Sequence, residues 1–212
     1  MTDIKYKIIY DIDKDIWNWY YGANYSNNGQ SLKDTQTKQL IEKITNFKDL
    51  DAATPTIKLF LSPKIKDKDS DLNKFIKIAE TEFDKKFNKA CKLIEKITNR
   101  PISNNEFIFY VTSFPRMVVF FDEGIIFMYA KIDDELWGMP IDGFLHEVLH
   151  FQFNKYWRED KKSPVSKLSE EDYFKIKESL TVILDEELRP IITLPDCSYP
   201  EFINYRNALH KN

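Results

Sequence analysis

The 212-residue chain is 42% hydrophobic and 15% aromatic, which is enough for a sizeable core in one domain or in a compact domain with a helical extension. Its net charge of −3 comes from interspersed acids and bases, so no basic stripe argues for nucleic acid as a partner. No apolar run reaches the length of a membrane span, none resembles a signal peptide, and Cys91 and Cys197 lack metal or redox spacing. The expectation is a cytoplasmic protein with no membrane partner, its oligomeric state left open.

Taken in order, Lys5 to Ile12 reads as a short strand. The aromatic stretch Ile16-Trp-Asn-Trp-Tyr-Tyr-Gly-Ala-Asn24 reads as a core plug in preference to a substrate-facing lid, because Trp and Tyr are usually well buried. Ser26 to Ser31 is a loop by composition, and Leu32 to Phe47 a polar amphipathic helix. Asp51 to Pro55 breaks the pattern ahead of a short strand at Ile57 to Leu61, and a charged linker follows over Lys64 to Asp71. From Leu72 to Thr98 apolar residues recur with helical period, at Phe75, Ile76, Ala79, Phe83, Phe87, Ala90, Cys91, Ile94 and Ile97.

Beyond Pro101 the character changes. Glu106 to Thr112, Met117 to Phe121 and Ile125 to Ile132 are rich in Phe, Ile, Val and Tyr and bounded by turn residues, which predicts a three-stranded antiparallel meander. Its edge, at Ile125 to Ile132, is available for strand addition by an extended peptide. A helix then opens near Pro140, with Asp142 as N-cap, and carries His146-Glu147-x-x-His150. Residues four apart share a helix face, so both imidazoles can bind one cation, with the Glu147 carboxylate beside them as a general base. That is the pattern of a catalytic zinc site, and it uses two of the chain's 3 histidines.

After a charged connector, Ser169-x-x-Asp172 forms a capping box for a second helix, which runs to Leu188 and stops at Arg189-Pro190. Phe174, Leu180, Ile183 and Leu184 mark its packing stripe. Glu178 lies at the stripe's border beside Thr181 and Asp185.

These motifs resemble the gluzincin-type zinc metallopeptidases. The metzincin extension is excluded, because Phe153 and Tyr156 stand where that family has a glycine and a third histidine. The resemblance runs from about Glu106 to Arg189 and does not extend over residues 1–100. It implies a glutamate ligand from the returning helix, the role Glu178 fits, with Thr181 and Asp185 supporting the ligands. The chain departs from the thermolysin-like pattern at Val182, where an aspartate is usual. The resemblance also implies an oxyanion-stabilising Tyr or His, with Tyr173, Tyr199, Tyr205, Arg206 and His210 as candidates.

The expected fold is therefore α+β. A mostly helical region at 1–100 packs on a zinc-binding catalytic region at 101–212, whose meander lies against the histidine helix and the glutamate helix. The expected function is zinc-dependent hydrolysis of a peptide or protein substrate. The alternative is a non-proteolytic zinc-binding regulatory or interaction protein.

Overall fold

A computed structural model describes residues 4–25, 35–67, 70–130, 140–186, 188–192 and 202–209, without the side chains of 25, 35, 36, 71, 185, 186 and 209. The loop expected at Ser26 to Ser31, Pro195, Tyr199, Pro200 and His210 lie outside the described residues. The fold is mixed, with helices predominating over one small sheet. No helix among the described residues is long and apolar enough to cross a membrane.

The chain divides into two compact units, each assembled from separate stretches. One comprises Met1–Lys5, Thr81–Phe107 and Asp133–Asn212; the other comprises Tyr6–Glu80 and Ile108–Ile132.

The second of these holds most of the sheet. Strands β1 (Lys5–Ile9), β2 (Glu106–Thr112), β3 (Val118–Phe120) and β4 (Ile125–Tyr129) lie in the order β1-β2-β4-β3. β3 and β4 form the expected antiparallel hairpin, with Val118 opposite Phe127, and Gly124 adopts a φ of 67° at its turn. The expected meander fails at β2, which pairs with β4 in parallel, Ile108 opposite Ile125 through Thr112 opposite Tyr129. β4 is thus an inner strand, paired on both sides, and cannot be the edge for strand addition.

The reason lies in the β2–β3 connection. Phe114 is fully buried in an apolar cluster with Trp19, Leu40, Ile57 and Leu61, and so draws the chain away from a tight hairpin. Its ring meets Trp19 edge-on at 4.9 Å, while the Trp19 indole N–H donates to the Ser113 hydroxyl at 2.9 Å. Asp15, fully buried, accepts from the Thr112 hydroxyl (2.6 Å), the Ser113 amide (3.0 Å), the Ser113 hydroxyl (2.8 Å) and the Tyr10 hydroxyl (3.1 Å). Four donors compensate for burying a carboxylate and hold the connection in place.

The aromatic segment is helical, within α1 (Ile12–Tyr25), and Ile16, Trp19 and Tyr20 form the plug that composition suggested. Gly22 sits against Phe114. A Cβ there would lie 2.1 Å from the ring. In an open helix Gly→Ala stabilises by up to about 1 kcal/mol. Here the sign reverses: Gly22→Ala is expected to destabilise by about 1–3 kcal/mol or more, because the buried ring cannot yield. A lower urea midpoint with an unchanged slope is the measurement that checks it.

α2 (Thr35–Ile44) falls within the expected helix. The strand expected at Ile57 to Leu61 is instead part of α3 (Leu50–Lys66), which runs through Pro55 and Pro63. Asp49 caps it by accepting from the Ala52 amide at 2.9 Å. Both prolines are exposed, as is Asp51, so water can satisfy the carbonyl left without a partner by Pro55. A strand would have placed Ile57, Leu59 and Leu61 on one face. The buried stripe is instead Ala53, Ile57 and Leu61, while Leu59 is 77% exposed.

α4 (Asp71–Thr98) is the helix its periodicity predicted, and it ends at Asn99 in the left-handed conformation, φ 49°. Its C-terminal part belongs to the unit with the histidine motif, where Phe83 and Phe87 pack on Phe144 at ring distances of 5.2 and 5.1 Å. Cys91 is 2% exposed, and burial, assisted by the charge of Glu95, pushes its thiol up to about 12. It should resist alkylation in the folded protein and react only on unfolding, as peptide mapping of the Cys91 and Cys197 fragments would show.

Candidate metal centre

The histidine motif lies on α5 (Pro140–Phe153). Asp142 is not its N-cap; it falls inside the first turn, where its charge suits the positive helix end. The Ile141 amide donates instead to Glu82 of α4 at 3.4 Å, and Lys86 holds the other Glu82 oxygen at 3.1 Å. At the far end Gln152 accepts from the Ser103 amide (2.8 Å) and donates to the Pro101 carbonyl (3.1 Å). Between these ties Phe144 and Phe151 meet Phe107 edge-on at 5.8 and 5.4 Å. The helix is therefore fixed along its length, as a ligand pair must be to hold one ion.

The chain then leaves α5 through a π-helical turn, Asn154–Arg158, and a 3-10 turn, Pro164–Lys167. Arg158 ties this connector together, donating to the carbonyls of Val165 (3.1 Å) and Leu168 (2.9 Å) and pairing with Glu170. Ser169 caps α6 (Glu170–Ser179) as expected, accepting from the Asp172 amide at 3.1 Å. Tyr173 stacks on Phe153 at 5.6 Å, and its hydroxyl donates to Asn154 at 3.1 Å, fastening the start of α6 to the end of α5. Tyr173 is the buried ring here, whereas Phe174, expected in the packing stripe, is 40% exposed. The expected single helix to Leu188 breaks into a 3-10 turn at Leu180–Val182 and α7 (Ile183–Glu186).

This arrangement brings Glu178 to the histidines. Its Oε2 lies 3.4 Å from His146 Nε2 and 3.3 Å from His150 Nε2. Donor atoms sharing a tetrahedral cation with bonds near 2.1 Å stand about 3.4 Å apart, so the spacing suits one small ion. The ligand atoms of His146, His150 and Glu178 all fall within 4.8 Å of one another, and this group could hold a metal ion.

His150 is 2% exposed, and both its ring nitrogens are buried without a hydrogen bond among the described residues, although Nε2 is close to Glu178. Buried polar atoms are rarely left so. Burial, with His146 nearby, pushes His150 down to about 3, so it is neutral at physiological pH. Burial alone would raise Glu178, but the contacts with His146 and His150 and the charge of Lys177 outweigh it and hold the carboxyl well below its usual range. Neutral imidazole and ionised carboxylate are the forms that bind metal.

Glu147 is 7% exposed, directly after His146 and one turn ahead of His150 on the same helix. The Thr181 hydroxyl donates to the backbone carbonyl of Glu178 at 2.7 Å and accepts from Arg206 of α8 (Ile203–Leu209) at 2.8 Å. Thr181 thus grips the backbone at Glu178. The Asp185 side chain lies outside the described residues, and Tyr205 is 50% exposed.

Sequence reasoning missed three contributors: Glu82, Gln152 and Lys177, whose ammonium lies 2.8 Å from Glu178 Oε1. Only Lys177 had a signal, its adjacency to Glu178, and adjacent residues on a helix do not ordinarily face each other.

Comparison with known proteins finds no matching family model, no matching curated protein and no matching solved structure.

Proposed function

We propose that the protein is a zinc-dependent peptidase of the gluzincin kind, hydrolysing peptide bonds in a peptide or protein substrate. The observation that carries this reading is the meeting of Glu178 Oε2 with both His Nε2 atoms, at 3.4 and 3.3 Å, beside a buried glutamate on the histidine helix. Two imidazoles and one carboxylate are a donor set for catalytic zinc, which keeps a fourth position open. Glu82 and Gln152 serve the same end by fixing the helix that bears three of the four residues.

When bound, zinc would supply Lewis acidity toward the scissile carbonyl and lower the pKa of a water to roughly 7. Glu147 accepts a proton from the attacking water as its oxygen bonds to the carbonyl carbon. It then passes that proton to the departing nitrogen as the C–N bond breaks. His146, His150 and Glu178 hold the ion and take no proton.

Two measurements test the reading. Elemental analysis should find about one zinc per chain, and less than about a tenth after zinc is offered back would end it. An unstructured protein should be cleaved, with cleavage lost on chelation and restored by zinc. Full zinc loading without cleavage of any such substrate would favour the non-proteolytic zinc-binding alternative.

A further inference from the structure

The Glu178 carboxylate is divided between two sets of neighbours. Oε2 faces both His Nε2 atoms, while Oε1 is paired with the Lys177 ammonium at 2.8 Å. The pair is well sheltered, with side-chain exposures of 13% for Lys177 and 5% for Glu178. The ammonium also lies 5.4 Å from the Phe174 ring centroid, a cation–π contact that limits its freedom.

A carboxylate can bind a metal ion through one oxygen or through both. Two-oxygen binding fills a further coordination position, and a catalytic centre with three protein ligands needs that position for water. An oxygen already engaged by a partly buried ammonium is a poor second ligand, since the same oxygen would have to serve two cations in a sheltered site. We propose that Lys177 is a positioning residue that holds Glu178 Oε1 away from the metal, so that Glu178 binds through Oε2 alone and the fourth position stays open. The inference rests on the metal-centre reading above and extends it to a group that is not itself a ligand.

Cobalt(II) in place of zinc reports the coordination number directly, because four-coordinate cobalt absorbs visible light several times more strongly than higher-coordinate cobalt. Wild-type protein should give the intense four-coordinate spectrum with about one equivalent of cobalt. Lys177→Met keeps an unbranched side chain of nearly the same length but removes the charge. Its cobalt spectrum is expected to weaken severalfold as both Glu178 oxygens bind. Lys177→Arg, which retains a cation beside Oε1, should preserve the wild-type spectrum.

A folded, cobalt-loaded Lys177→Met with the wild-type spectrum would overturn the proposal. So would a weak, higher-coordinate spectrum in the wild type, a result that does not depend on any variant folding. Failure of wild-type protein to take up cobalt at all would instead remove the metal centre, and Lys177's role with it.

Discussion

Glu147→Gln is expected to keep its zinc and lose hydrolysis by about 100- to 10,000-fold, the range for removal of a general base. The substitution preserves size and hydrogen-bonding capacity in a side chain that is 7% exposed, so stability should change little. The loss should appear in kcat and in kcat/KM together, because proton transfer belongs to the transition state and not to substrate binding. Zinc content and the far-ultraviolet circular dichroism spectrum serve as controls. Wild-type turnover in Glu147→Gln, with zinc in place, would show that the proton goes elsewhere.

The second large effect concerns the coordination shell. Glu178→Ala should weaken zinc binding well beyond the roughly 10- to 100-fold seen when a supporting residue is changed. It removes the only carboxylate near both His Nε2 atoms among the described groups, and leaves Lys177 without its partner. Glu171→Ala is the matched control, since Glu171 is exposed at the start of the same helix and pairs with Lys175. A competitive zinc titration separates the two. Equal affinity for Glu178→Ala and wild type would remove Glu178 from the centre.

Local regularities carried most of what the sequence revealed. The His146/His150 pair, the long period of α4 and the Ser169 cap all depend on residues within a few turns of one another, and each appears where expected. Glu178 was legible because a resemblance supplied the role and the returning helix supplied the residue. The sheet was misread where its pairing is not local. β2 and β3 looked like neighbours, yet Phe114 is buried with Trp19, and β4 comes between them. α3 was misread because its prolines were taken as breaks, when their exposed positions make the lost hydrogen bond tolerable. Lys177 carried no signal beyond its adjacency to Glu178, since only the folded carboxylate shows which oxygen it engages.

The alternation of the chain between its two units sets an order of events during synthesis. Tyr6–Glu80 and Ile108–Ile132 are both complete before any residue of the histidine helix has been made. The unit with the sheet can therefore close early, while Phe83, Phe87 and Phe107 wait for Phe144 and Phe151 to emerge. At ribosomal rates of about 5–20 residues per second, that wait lasts roughly 3–14 s. During it the C-terminal part of α4 carries apolar rings without their later partners, the kind of surface that recruits chaperones or aggregates. The proposed metal centre is completed later still, because Glu178 follows both histidines, so a nascent chain could take up an ion there only after its other unit has had time to fold.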